Sequence, residues 1–183
     1  MKEAILIPGF FEKRLLTLLQ FQVNLLKESG ISLDTEKFHR KQFHNHPLFV
    51  ALHNQMAEEA SLIFGEELKP SYSFLSMYLR GMGDCPIHTD RPPCYRTIDV
   101  CINQEKPWPL YVNEKMAWDP EAVEEIKRTS REFMLLPGDA VLYSGTDHPH
   151  FRKPMKDIHG QENNFVDMAF FHFVPVGFEG DLK

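Results

Sequence analysis

Residues 71–81 read Ser-Tyr-Ser-Phe-Leu-Ser-Met-Tyr-Leu-Arg-Gly, directly after Pro70. Aromatic and aliphatic side chains that end at a turn residue suit a pleated, half-buried surface, so this run predicts a strand. Runs of the same texture follow at 96–103 (RTIDVCIN), 108–113 (WPLYVN), 132–138 (EFMLLPG), 140–145 (AVLYSG) and 163–174 (NNFVDMAFFHFV). Several strands without long helices between them imply an antiparallel sandwich or barrel. One exception is 119–132, where Asp119 caps, Pro120 opens and Val123 and Ile126 share a face, which predicts a short inserted helix.

Upstream the periodicity is helical. Phe11, Leu15, Leu18, Leu19, Leu25 and Leu26 recur at helical spacing over 10–28, and Gly30 stands where a left-handed cap belongs. A second helix is expected from about Pro47 to Gly65 through Phe49, Leu52, Met56, Ala60 and Ile63. The reading is therefore one domain over 1–183, mainly β with N-terminal helices: helical support over 1–69 and a β core over 70–176. No repeat, low-complexity tract or linker divides it.

Composition narrows the function classes. With 43% hydrophobic and 25% charged residues the chain reads as an ordinary globular protein, and fifteen Phe imply aromatic interior walls. A formal charge of −6 without runs of Lys or Arg argues against nucleic acid as a partner. Charges at Glu12, Lys13 and Arg14 interrupt the apolar start, so neither a secretory leader nor a membrane span is expected. Cys85, Cys94 and Cys101 lack zinc-ribbon spacing and read as reduced thiols, which places the chain in the cytoplasm.

The chemistry concentrates in two segments. In Cys85-Pro-Ile-His88-Thr-Asp90-Arg91-Pro-Pro93 an imidazole and a carboxylate stand two residues apart, so on extended backbone both face one side. His-x-Asp alone is a weak signal. Further on, 136–152 (LPGDAVLYSGTDHPHFR) delivers His148 and His150 through turn, strand and turn onto the start of another strand. Two His and one carboxylate fill three octahedral positions of iron(II) and leave three open, two for a chelating 2-oxo acid and one for dioxygen. A structural zinc site would close all four positions, usually with Cys.

Taken together, Tyr78 with Gly81, His88-Thr-Asp90, the strand 97–103, Pro137-Gly-Asp139-Ala, His150-Phe-Arg152 and the closing strand 165–174 resemble the 2-oxoglutarate/iron(II) dioxygenase superfamily, in particular its prolyl-hydroxylase-like branch. The resemblance spans about Pro70 to Pro175. It implies a double-stranded β-helix (jelly-roll) barrel, with Fe(II) held by His88, Asp90 and His150 and 2-oxoglutarate as cosubstrate. The expected reaction is oxidative decarboxylation to succinate and carbon dioxide coupled to hydroxylation of an unactivated C–H bond in a small molecule or a peptide side chain. His150 is preferred over His148 because His-aromatic-Arg is similar to the stretch in relatives and Pro149 fixes the backbone before it. Tyr78 corresponds to a Tyr that touches the oxo acid. The sequence departs from the family at the cation that holds the far carboxylate: 165–174 contains neither Arg nor Lys. Arg152, on the side of the strand shared with His150, is the first candidate, with Arg80 and Arg96 behind it.

Other groups have plainer readings. His39, His44 and His46 lie in a polar stretch, His172 reads as a hydrogen-bonded core residue, and Cys94 as a small hydrophobe. Arg91, Arg96 and Trp108 are candidates for the mouth of the pocket. A cupin-like metal-binding barrel, acting as an isomerase, a hydrolase or a small-acid binding module, shares the barrel and the histidines and is the alternative.

Overall fold

The computed structural model describes residues 3–30, the backbone of 33–35, and residues 40–79 and 81–182, and among these are eleven strands and four α-helices. Strand β1 (Ile5–Ile7) precedes helix α1 (Lys13–Ser29), which ends at Gly30 in the left-handed region (φ 66°). Strands β2 (Leu33–Thr35) and β3 (Arg40–His44) lead to α2 (Pro47–Gln55) and α3 (Ala57–Phe64). The helix expected to run unbroken from Pro47 bends at Met56, whose ψ of −6° makes it the end of one helix and the cap of the next. Residues 1–69 supply strands as well as helices; these are too short for periodicity to announce.

The core strands are β4 (Leu68–Tyr78), β5 (Cys85–His88), β6 (Arg96–Gln104), β7 (Leu110–Val112), β8 (Arg131–Phe133), β9 (Ala140–Tyr143), β10 (His150–Arg152) and β11 (Val166–Pro175), with α4 (Val123–Thr129) between β7 and β8. Asp119 caps a turn, accepting from the Glu121 amide at 2.9 Å, and the inserted helix starts later than its sequence suggests.

Every pairing is antiparallel, in a seven-stranded sheet β1-β9-β6-β11-β4-β3-β2 and a four-stranded sheet β5-β10-β7-β8. No hydrogen-bonded ladder joins the two among the described residues, so the expected barrel takes the form of two facing sheets. Period-two alternation assigns the large sheet's faces. Leu75, Met77, Ile98, Val100, Ile102, Leu142, Ala169, Phe171 and Phe173 pack under the helices against Leu19, Val23, Phe49, Ala60 and Phe64. Their neighbours Tyr78, Cys101, Val141, Tyr143, Val166 and Met168 pack toward Leu110, Val112 and Phe133 of the small sheet. Between the sheets lies the site.

Candidate metal centre and cosubstrate cavity

Strand pairing sets two histidines side by side. His150 on β10 lies directly opposite His88 on β5, and their ring centroids are 4.4 Å apart. Between His150 and Arg152 the register slips, so Arg152 meets Cys85; the extra residue belongs to β5, whose Pro86 is tolerated because β5 is an edge strand. Bulges of this kind re-aim side chains beside active sites. Asp90 follows two residues after His88 and is tied to the large sheet's end by its amide, which donates to the Gly145 carbonyl at 2.8 Å.

Asp90 Oδ1 lies 3.5 Å from His88 Nε2 and 3.8 Å from His150 Nε2. Each Nδ1 is occupied by a backbone carbonyl, that of Pro86 for His88 (2.7 Å) and that of His148 for His150 (2.9 Å), so both Nε2 atoms face the carboxylate. Donor atoms of the three residues fall within 4.8 Å of one another. Carbonyl partners on the far nitrogens are what orient imidazoles toward an ion, and the set fits a divalent metal. Burial lowers the His150 imidazole to about 4, and neighbouring Asp90 offsets only part of this. Burial alone would lower His88 and raise Asp90, but their mutual hydrogen bond and the charges around them reverse both, leaving His88 raised and Asp90 lowered. His148 stands outside the group and accepts from the Ser144 amide at 3.4 Å.

These residues line a cavity of about 440 Å³ with Arg152, Tyr78, Arg40, Arg91, Tyr72, Phe74, Asp99, Tyr143 and His172. Arg152 is 4% exposed, rests over the Trp108 ring and donates to the Trp108 carbonyl. Tyr78 is buried edge-on against Trp108, and its hydroxyl accepts from Arg40 at 2.9 Å. Arg96 instead points to the other face of β6, bound to Glu66 at 2.5 Å and Ser144 at 2.8 Å, and takes no part in the lining. Trp108 is fully buried behind the cavity rather than at its mouth. Arg80 and His39 lie outside the described residues; His44 and His46 join no donor group among those described.

No protein-family profile and no curated protein sequence matches the chain. Solved structures do. HygX from Streptomyces hygroscopicus, solved with nickel, 2-oxoglutarate and hygromycin B, matches with a TM-score of 0.68 over 96% of this chain and 84% of its own, at 14% identity. EctD from S. alaskensis with bound Fe matches with a TM-score of 0.68 over 94% of this chain and 73% of its own, at 13% identity. A Pseudomonas putida prolyl-4-hydroxylase matches with a TM-score of 0.63 over 95% and 93%, also at 13% identity. The chain has the fold of the iron- and 2-oxoglutarate-dependent oxygenases.

Within this oxygenase fold, several cavity residues escape sequence reasoning. Arg40 comes from β3 and reaches Tyr78, 38 residues away, only through the pairing of β3 with β4, and nothing local marks it. Tyr72 and Phe74 share the parity of Tyr78 on β4, a signal that was there to use. Asp99 was equally visible as the one acid in the run Ile98 to Ile102, which is otherwise apolar. It is 1% exposed, accepts from the Tyr143 hydroxyl at 3.2 Å through Oδ2, and is raised to about 7 by burial, which the Arg152 guanidinium only partly offsets.

Proposed function

We propose that the chain is an iron(II)- and 2-oxoglutarate-dependent dioxygenase that hydroxylates an unactivated C–H bond of a small molecule or a peptide side chain. The observation that carries the reading is the convergence of His88 Nε2, His150 Nε2 and Asp90 Oδ1 on the wall of an aromatic cavity. Two imidazoles and one carboxylate would hold iron(II) on one face and leave adjacent positions open. Bound there, iron with 2-oxoglutarate supplies the oxidising power: one oxygen atom of dioxygen goes to succinate and the other to the product.

The remaining work is done by the cavity. Arg40, Arg91 and Arg152 oppose Asp90 and Asp99, and Asp99 leans toward its neutral form, so the lining suits a dianion. Arg152 is the proposed anchor of the far carboxylate, a planar fork against a planar anion. Tyr78, already paired with Arg40, would bind the oxo acid beside it. Tyr72, Phe74, Tyr143 and Phe170 keep water from the reacting atoms. The two facing sheets are read as the halves of a double-stranded β-helix, and the whole chain as a single oxygenase domain. An intracellular, reducing location suits its three free thiols, and no helix among the described residues is long and apolar enough to cross a membrane.

Adding iron(II) and 2-oxoglutarate without oxygen should produce a visible charge-transfer band, and admitting oxygen should then release succinate. Asp90→Ala should lose both. If the wild-type chain gives neither band nor succinate, the cupin-like alternative takes the place of this reading. Substrates are then found by mass spectrometry of metabolite or peptide mixtures, as species that gain one oxygen.

A further inference from the structure

Beside the proposed iron ligands stands a second convergence that the oxygenase reading does not use. Donor atoms of Asp90, Cys94 and His172 also fall within 4.8 Å of one another, and Cys94 and His172 are 4% and 5% exposed. We infer that Asp90, Cys94 and His172 form a second cation position, selective for a thiophilic divalent ion such as zinc(II), with Asp90 as the ligand common to both positions.

The neighbours orient these donors as metal ligands. Thr97 Oγ1 lies 3.3 Å from the Cys94 carbonyl and 3.0 Å from His172 Nδ1; when its hydrogen goes to the carbonyl it accepts from Nδ1–H, the tautomer that leaves the lone pair of His172 on Nε2 for a metal. Tyr72 stands on the sulfur at 2.7 Å, and its oxygen in turn accepts from Arg91 at 3.1 Å. Either atom of this pair can donate, and burial pushes the Cys94 thiol up to about 12, so it is the bound cation that would draw off the sulfur's proton, with the Tyr72 hydroxyl then donating to Sγ. Donors around a tetrahedral zinc ion are about 3.5 Å apart, given metal–ligand lengths of about 2.0 to 2.3 Å, so small side-chain rotations close the set.

Charge and softness separate the two positions. A thiolate, a carboxylate and a neutral imidazole cancel a divalent charge, whereas the pair of imidazoles with one carboxylate leaves a positive centre for an anionic cosubstrate. Thiolate favours zinc over the harder ions. On binding, the Cys94 S–H bond breaks, its proton goes to solvent and the S–metal bond forms, with no change of oxidation state. An ion held there draws on the carboxylate that iron needs, so zinc at this position weakens iron binding.

Cobalt(II), a coloured substitute for zinc, tests the assignment in the full-length reduced chain under argon. The wild type should show a near-ultraviolet thiolate-to-cobalt band that Cys94→Ser abolishes and His88→Ala retains, since His88 belongs to the first set alone. His172→Gln, with an unchanged circular-dichroism spectrum, should weaken cobalt binding to the sulfur at least tenfold. Absence of the band in the wild type, or its survival in Cys94→Ser, overturns the inference. The band with cobalt together with failure of the iron and 2-oxoglutarate test would sink the oxygenase reading and leave this one standing.

Discussion

Arg152 is the proposed stand-in for the cation that the resemblance leads one to expect on the closing strand, where this chain has neither Arg nor Lys. Two residues after His150 on β10, it sits on the cavity side with its guanidinium over Trp108. If it holds the far carboxylate, Arg152→Gln should raise the 2-oxoglutarate requirement roughly tenfold to more than a hundredfold, because a charge-assisted contact contributes about 1.5–3 kcal/mol. Iron affinity should stay constant, and Arg152→Lys should recover only part of the loss, since an ammonium lacks the planar fork. A normal requirement in Arg152→Gln alongside a lost one in Arg40→Gln would move the anchor to β3. At this scale the sequence is informative where chemistry is local. His88 and Asp90 stand two residues apart on extended chain, a weak signal alone, and His150 was picked out by the resemblance of His150-Phe-Arg152, with Pro149 before it, to a His-aromatic-Arg stretch. Arg40 is not legible, since its place beside Tyr78 is made by sheet pairing between distant segments.

Elements decide whether these side chains can meet. Asp90 is positioned by the turn after β9, where a side chain on Gly145 would collide with the Cys94 carbonyl, with Asp90 Oδ2 and, at 2.9 Å, with Thr97 Oγ1. Two of those three obstacles cannot swing away freely, being backbone or a carboxylate already committed. Gly145→Ala should therefore displace Asp90, lowering metal affinity and costing about 1–3 kcal/mol of stability, the usual effect of overpacking. Metal titration with thermal unfolding checks both, and unchanged metal affinity would show that the turn yields without moving Asp90. Strands of the large sheet were readable because alternation holds along β4, β6, β9 and β11, one parity under the helices and the other toward the cavity. The bend at Met56 was not readable: no Pro or Gly marks it, and helical spacing continues through it. Strands β1 and β3 were missed for a related reason, as three or five residues carry too little pattern to separate a strand from a loop.

At the scale of the whole molecule, burial of titratable groups gives the fold a pH signature. His53, His150 and His172 are held at about 3, 4 and 4, chiefly by burial, so in the folded chain they stay neutral after the unfolded chain has protonated near 6.5. Each therefore withdraws stability as pH falls from about 6.5 toward 4. Asp99 acts in the opposite sense: raised to about 7, it is protonated in the fold while still ionised in the unfolded chain, so its contribution grows as pH falls from about 7 to 3.8. Near pH 5 these four groups leave a net uptake of about two protons on unfolding, a slope of roughly 2 to 3 kcal/mol per pH unit. Denaturant midpoints between pH 4 and 7 for the metal-free chain should show this steep decline, and His53→Gln should flatten it; a flat profile in the wild type would mean the three rings are hydrated. A last consequence belongs to β5, which carries His88 at the margin of the small sheet with β10 as its only ladder partner among the described residues, and that ladder slips once. Such a strip opens locally at little cost. An ion shared by His88, Asp90 and His150 would pin it, and at a hundredfold excess over its dissociation constant would slow amide exchange along 85–88 about a hundredfold. Deuterium uptake with and without iron measures this directly. A margin that stays loose until the ion arrives also imposes a sequence of events: metal first, then cosubstrate, because the wall against which the second must lie is fastened by the first.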